Sequence, residues 1–364
     1  MANGTSTSDR QAPATGQILK KAGQTGTLSR REIVHLLSLD DANGLSALSE
    51  AADRIRRRWV GDEVYLRGIV EFSNVCERNC LYCGLRKGNT GLPRYRMTID
   101  EILEAASRIR KLGIGTLVLQ SGEDSFFDRD TLCRLIGRIR YEMGLVITLS
   151  IGERTREDYL AFREAGAGRF LLKHETASAT LYRKLHPDSK HENRVQCLRW
   201  LRELGYEVGT GCMVGLPGQT PADLADDILL MKELDADMLG IGPFIPHPQT
   251  PLADSPGGGV QATLKMIAVA RLVTRDTNIP ATTALTTMDP EGSRKALACG
   301  ANIIMPDFTP LRYRALYEIY PGRGGIGETE ETAIARMKET LASLGRSVGK
   351  GPGDRRKEER KSGS

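Results

Sequence analysis

The sequence predicts an α/β protein: a complete (βα)8 barrel of the TIM type, with N-terminal helices before it and a C-terminal helical extension after it. Three observations lead there. From residue 64 short apolar runs alternate with longer amphipathic stretches, the order of repeated βα units around a parallel sheet. The short runs number eight, at residues 64–72, 116–120, 145–149, 169–172, 207–214, 237–242, 281–285 and 302–305. Between them, helical spacing covers 98–112, 129–143, 156–165, 192–204, 221–234 and 259–274, and Gly113, Gly166 and Gly205 stand where helices would end. A barrel of this kind gathers its chemistry at the carboxyl ends of its strands.

The barrel is assigned to residues 64–310 of the 364. Residues 1–26, rich in Gly, Ser, Thr, Ala and Gln, read as a disordered tail. Helices fill 27–63: Thr27 or Ser29 is the N-cap of one, and Leu48, Ala51, Ala52, Ile55 and Trp59 share a face of the next, set to cover the outer end of the barrel. The extension, 311–345, reads as a helix at 311–320, a glycine-rich loop at 321–327 and a last helix at 330–344. Residues 346–364 read as a basic disordered tail.

The net charge of +5 sits at the ends of the chain. Residues 346–364 hold seven Lys or Arg against three acids, and residues 1–29 hold three against one, so the body is near neutral and nucleic-acid binding is not expected. No apolar run is long enough to span a bilayer, so no membrane association is expected. Seven cysteines without a secretory leader pattern predict a reducing cytoplasm rather than a disulfide framework.

Directly after the first predicted strand, Cys76, Cys80 and Cys83 place three thiols within eight residues. Thiolates are soft ligands suited to iron-sulfur clusters, zinc or copper. Three of them satisfy three irons of a cubane and leave the fourth open, whereas structural zinc needs a fourth ligand nearby. The next Cys is Cys133 and the nearest His downstream is His174.

The C-x3-C-x2-C spacing, with Tyr82 before the third Cys, resembles the signature of radical S-adenosylmethionine (SAM) enzymes. The wider block at 71–86, followed by Arg94-Tyr95-Arg96-Met97-Thr98, resembles the FeFe-hydrogenase maturase branch, HydE, related to biotin synthase. The resemblance implies a 4Fe-4S cluster on Cys76, Cys80 and Cys83, with the open iron chelated by the amino and carboxylate groups of SAM. An electron from the cluster would split the sulfonium to give a 5'-deoxyadenosyl radical. It implies a small cysteine-derived or organometallic iron substrate, other hydrogenase maturation proteins and an electron donor as partners, and a role in assembling the dinuclear iron subcluster.

By the same resemblance Tyr82 borders the cofactor, and Ser121-Gly122-Glu123 holds the SAM amino group, with Gly122 permitting close backbone approach. Glu175 meets the ribose diol, and Arg194 forks onto the methionine carboxylate. The stretch Gly211-Cys212-Met213-Val214-Gly215-Leu216-Pro217-Gly218 fits a flat adenine against Met213, or equally a set of tight-turn glycines. Candidates for the substrate side are Arg67, Gln120, Thr148, Lys173, Thr282 and Thr283, polar residues of predicted strands that could converge on an anion. Met238 and Tyr320 resemble cavity-wall residues of the family. Lys173 stands where the family often has Arg, exchanging a fork for a point charge. The remaining cysteines read as buried hydrophobes, and the dispersed histidines as non-ligands.

Many members of the family carry further cysteines in the terminal region, but none follows Cys299 here, so no auxiliary cluster is expected there. Two other classes compete. Biotin synthase or methylornithine synthase is the nearest enzyme alternative, although Val146 and Gly209 stand where sulfur insertion would need Cys. A non-catalytic iron-sulfur scaffold would not need Glu123, Glu175 and Arg194.

Overall fold

Arg67 breaks the first predicted strand into β1 (Glu63–Leu66) and β2 (Gly68–Ser73) in the computed structural model, which describes residues 14–357. The others follow as β3 (Thr116–Ser121), β4 (Val146–Ser150), β5 (Arg169–Leu171), β6 (Glu207–Thr210), β7 (Met213–Val214), β8 (Met238–Leu239), β9 (Gly242–Pro243), β10 (Ile303–Ile304) and β11 (Ser347–Val348). Strands β2, β3, β4, β5, β6 and β8 lie side by side in that order as a parallel six-stranded sheet. Its two edges are joined: Met238 bridges Asn278, Pro280 bridges Ile303, β10 pairs with β1, and Ile69 bridges Asp307. Residues 278–280 are the seventh stave, β10 the eighth and β1 with β2 the first, so the (βα)8 cylinder closes.

Burial on both faces explains the near-continuous apolar strands, such as Leu117, Val118 and Leu119 in β3. Thr98, Thr155 and Thr220 begin the outer helices Ile99–Lys111, Arg156–Glu164 and Pro221–Glu233 with reciprocal capping boxes, because each hydroxyl accepts from the backbone three residues on. Among the described residues no helix is long and apolar enough to cross a membrane.

The structure corrects the sequence reading in five places. The seventh stave is residues 278–280, not 281–285; Thr283–Met288 is a short helix. The Asn302 side chain pulls the stave into place, accepting from Ile279 N at 2.8 Å and donating to Asn278 Oδ1 at 2.7 Å. The N-terminal tail holds a helix, Thr15–Thr25, whose Ile18, Leu19 and Ala22 are buried; residues 1–13 lie outside the described residues. The helices Arg30–Leu37, capped by Ser29, and Ala42–Trp59 pack on the outer helices Pro221–Glu233 and Val260–Thr274, not over the barrel's end. The predicted helix at 311–320 shrinks to Leu311–Arg314, because the buried Arg314 guanidinium takes the carbonyls of Asp307, Thr309 and Glu328.

The basic tail is the fifth correction. After β11 pairs with β1, the chain crosses the base of the cylinder: Gly353 O accepts from Arg67 and Asn278, and Pro352 O from Thr116 and Arg169. Arg355 pairs with Asp235, Asp237 and Asp276, so this charge run meets partners through residue 357. Residues 358–364 lie outside the described residues.

Ending the chain at Gly349 strips the buried Arg67 and Arg169 guanidiniums of these carbonyls. The urea midpoint of the apo-protein is expected to fall by the equivalent of at least ~2 kcal/mol. A second outcome concerns Glu101, which closes the Thr98 capping box and accepts from Tyr313 and Arg312 of the extension. Burial raises its carboxyl, but the Thr98, Arg312 and Tyr313 hydrogen bonds outweigh it and hold it down at about 2, against an ordinary 4.5. A depressed carboxyl stabilises the fold above its unfolded value and loses that contribution as pH falls. Glu101→Gln is therefore expected to cost about 1 kcal/mol at neutral pH, with the difference from wild type narrowing below pH 4.5.

Candidate active site

The cysteine loop leaves the end of β2 and is braced from both sides. Asn74 donates to Pro93 O at 2.8 Å and Leu316 O at 2.7 Å and accepts from Tyr95 N at 2.7 Å. The Arg94 guanidinium donates to the carbonyls of Asn74 (2.7 Å), Leu85 (2.9 Å), Arg86 (2.9 Å) and Asn89 (3.0 Å), tying the start of the loop to its end. The Tyr82 hydroxyl lies 2.9 Å from His186 Nε2, while His186 Nδ1 faces Tyr182 O at 2.9 Å. That carbonyl can only accept, so Nδ1 carries the proton and Nε2 accepts from Tyr82. Burial lowers the His186 pKa, in keeping with that proton order.

Cys76, Cys80 and Cys83 are free and partly exposed. Burial pushes all three thiols up, Cys83 to about 12, so metal loading must displace protons. Among the described residues no three His, Cys, Asp or Glu side chains converge on one ion position. This donor set fits a cluster, in which each thiolate holds a different iron, and does not fit a closed zinc site.

Beside the loop, four charges alternate. Arg78 Nε is 2.5 Å from Glu123 Oε2 and its Nη2 is 3.5 Å from Glu153 Oε2. Arg194 Nε is 2.6 Å from Glu153 Oε1, its Nη2 is 3.6 Å from Glu123 Oε1, and its Nη1 donates to Lys173 O at 3.0 Å. Two glycines make room for this ring. A Cβ on Gly122 would lie 2.2 Å from Val75 O and 2.7 Å from Cys76 Cβ, and one on Gly152 (φ 76°) would lie 1.9 Å from Glu123 Cγ. Gly122 thus admits the cysteine loop, and Glu77 N donates to Glu123 O at 2.9 Å to fasten the two segments.

The loop opens onto a cavity of about 1120 Å³ over the carboxyl ends of the strands. Cys80, Tyr82, Cys83, Gln120, Ser121, Lys173, Glu175, Arg194, Met213, Thr282, Thr283 and Tyr320 all line it. Met213 packs with Leu185, Leu216 and Phe244 against Tyr82, an apolar shelf next to the thiols. The neighbouring glycines serve close packing: a Cβ on Gly211 would lie 2.1 Å from Gly240 O, and one on Gly215 would lie 2.3 Å from Gly258 Cα. The glycines of this stretch therefore serve packing, while Met213 stands on the cavity wall. The Glu175 carboxylate is 3.0 Å from Lys173 Nζ, and although burial raises its pKa, Lys173 above all, with Arg194, brings it below the ordinary value.

Across the cavity Glu71 is fully buried and takes the Arg323 fork at 2.6 and 2.8 Å. Burial pushes the Glu71 carboxyl up to about 8 against the pull of Arg323. The extension is fastened here by Arg323–Glu71 and braced within itself by Arg314–Glu330 and Arg336–Glu328.

Arg67, Thr148 and Met238 do not join this cavity. They meet in a separate small pocket deeper in the cylinder, with Arg169 and Glu207, because they lie short of the carboxyl ends of their staves. Arg67 is spent on Met238 Sδ at 3.0 Å and Gly353 O at 2.9 Å, and burial, with the nearby Arg169, lowers its pKa to about 9. The sequence reading missed Glu153, Arg78, Arg94, Asn74, His186, Glu71 and Arg323. Glu153 had a signal: Gly152-Glu153 follows the third strand as Gly122-Glu123 follows the second.

A barrel with this loop and ring defines a class: the radical SAM superfamily profile matches residues 70–231, from β2 into the helix Pro221–Glu233. The FeFe-hydrogenase maturase subunit HydE of Thermotoga maritima is 50% identical over 343 residues, 94% of this chain and 98% of the relative. The 3-methylornithine synthase of Methanosarcina barkeri is 31% identical over 288 residues, 78% of this chain and 80% of that protein. The solved methylornithine synthase PylB superposes with a TM-score of 0.80 at 27% identity, over 92% of this chain and 97% of PylB. The chain therefore belongs to the HydE family of hydrogenase maturases and is a radical SAM enzyme. Membership implies a 4Fe-4S cluster and SAM, a small-molecule substrate and maturation partners.

Arg94→Gln removes at least two of the four carbonyl contacts that close the cysteine loop. In the apo-protein the three thiols are expected to react about tenfold faster with a disulfide reagent, as for a loss of some 1.4 kcal/mol in local closure. Unchanged thiol kinetics would show that the loop is held elsewhere.

Proposed function

We propose that this enzyme holds a 4Fe-4S cluster on Cys76, Cys80 and Cys83 with one iron open to SAM, and acts in assembly of the dinuclear iron subcluster of FeFe hydrogenase. One observation supports this above all. Three unpaired thiols share one braced loop, two of them, Cys80 and Cys83, lining a 1120 Å³ cavity, beside a ring of two carboxylates and two guanidiniums. When bound, the reduced cluster supplies the electron that splits SAM into methionine and a 5'-deoxyadenosyl radical.

The chain's own residues bind and orient. Ser121, Gly122 and Glu123 offer backbone and carboxylate acceptors to the SAM ammonium, and Arg194 a planar fork to its carboxylate. Because Glu153 already fixes the Arg194 Nε at 2.6 Å, the guanidinium is oriented before the ligand arrives. Glu175 accepts from the ribose diol. The shelf of Met213, Leu216 and Phe244, with Tyr82 beside it, suits the adenine face. Gln120, Thr282, Thr283 and Tyr320 face a small cysteine-derived or organometallic iron substrate, with Lys173, beside Glu175, as its point charge. The extension, fastened through Arg323 and Glu71, keeps water from that chamber. The enzyme works in the cytoplasm with an electron donor and other maturases.

Anaerobically reconstituted protein, reduced with dithionite in the presence of SAM, is expected to release 5'-deoxyadenosine and methionine, and Cys80→Ala to release neither. Robust SAM cleavage by that variant would overturn the cluster assignment.

A further inference from the structure

Glu175 stands in a backbone conformation that a side chain rarely adopts, with φ of 66° and no glycine to ease it. Its own peptide is pinned by Glu175 N donating to Gly211 O at 2.9 Å and Glu175 O accepting from Met213 N at 3.1 Å. The residues on either side are held by a second set of contacts that no step above uses. His174 is fully buried, with Nδ1 2.9 Å from Thr210 Oγ1 and Nε2 3.3 Å from Asp227 Oδ1. The same Asp227 oxygen accepts from Ala177 N at 2.5 Å. Asp227, itself fully buried on the helix Pro221–Glu233, thus bridges the two ends of the turn 174–177 with Glu175 between them.

The proton order in this chain of contacts is self-consistent. Asp227 Oδ1 accepts from His174 Nε2–H, which leaves Nδ1 as an acceptor for the Thr210 hydroxyl, and that hydroxyl oxygen in turn accepts from His174 N at 3.3 Å. Three side chains without solvent contact therefore lock one rotamer and one tautomer behind the turn. Packing alone would not call for a buried carboxylate facing a buried imidazole, since an apolar replacement avoids the desolvation cost.

We infer that His174, Asp227 and Thr210 are positioning residues for SAM, holding the strained Glu175 turn so that its carboxylate meets the ribose diol in place. This deepens the proposed role of Glu175 and rests on it. The bridge acts through Glu175 and touches no reacting atom, so its loss weakens SAM binding more than turnover at saturation.

The test is a mutant cycle on the reconstituted holoenzyme, scored by the KM for SAM and by the rate at saturating SAM in the dithionite-driven cleavage assay. Glu175→Gln is expected to raise KM about tenfold. Asp227→Ala is expected to do the same, with the saturated rate within about twofold of wild type and unchanged iron content. In the Glu175→Gln background, Asp227→Ala should add less than about twofold, because the carboxylate it positions is gone. If the two effects multiply, or Asp227→Ala leaves KM unchanged, the positioning role falls while the ribose role of Glu175 stands. If Glu175→Gln leaves KM unchanged, it is the ribose role that falls. Should Asp227→Ala fail to fold, Thr210→Val, nearly isosteric, runs the same cycle with the same expected and overturning outcomes.

Discussion

Closure of the cylinder by its first stave is the constraint on which the rest of the structure depends. β1 pairs with β10 and β2 with β3, so a single stretch of chain joins the two edges of the parallel sheet. Because every stave runs the same way, the segments that follow β2, β3, β4, β5 and β6 emerge at one rim. The cysteine loop, Glu123, Glu153, Glu175 and Met213 become neighbours there although 137 residues separate Cys76 from Met213. A single antiparallel stave would send one of these to the opposite end.

What the rim assembles is electrostatic. Arg78 and Arg194 alternate with Glu123 and Glu153, and each arginine contacts both acids. Removing any one member leaves the others with uncompensated charge in a partly desolvated place, which makes the ring rigid rather than merely attractive. Rigidity matters because a ligand that must present one bond to an open iron gains from groups already in position.

The two ends of the chain complete the cylinder rather than decorate it. The N-terminal helices cover the flank of Val260–Thr274, and the last described residues cross the base and neutralise Asp235, Asp237 and Asp276. Above, the extension is pulled onto the rim by Arg323 and the buried Glu71. The cavity is therefore closed below by the tail and fastened above by ion pairs, among them Arg323–Glu71 and Arg312–Glu101.

Much of this was legible in the sequence. The eight-fold alternation, the helix cap at Ser29 and the C-x3-C-x2-C loop are local features: a cap or a short loop is decided by residues three or four apart. The Gly122-Glu123 pair was legible too, because only glycine lets backbone and side chain pass so closely there, and Gly152-Glu153 repeats the pattern unread. Other features waited for the tertiary structure. Residues 281–285 have the composition of a strand, yet Asn302 chose 278–280 as the stave from beyond a helix. Arg67 and Thr148 have the composition of a site, yet their height in the stave set them below the cavity. A basic tail looks solvated until acids from two places in the chain meet it. Local backbone energetics is written in neighbouring residues, whereas the partner of a buried charge is settled only when the fold has brought distant segments together and removed the water between them.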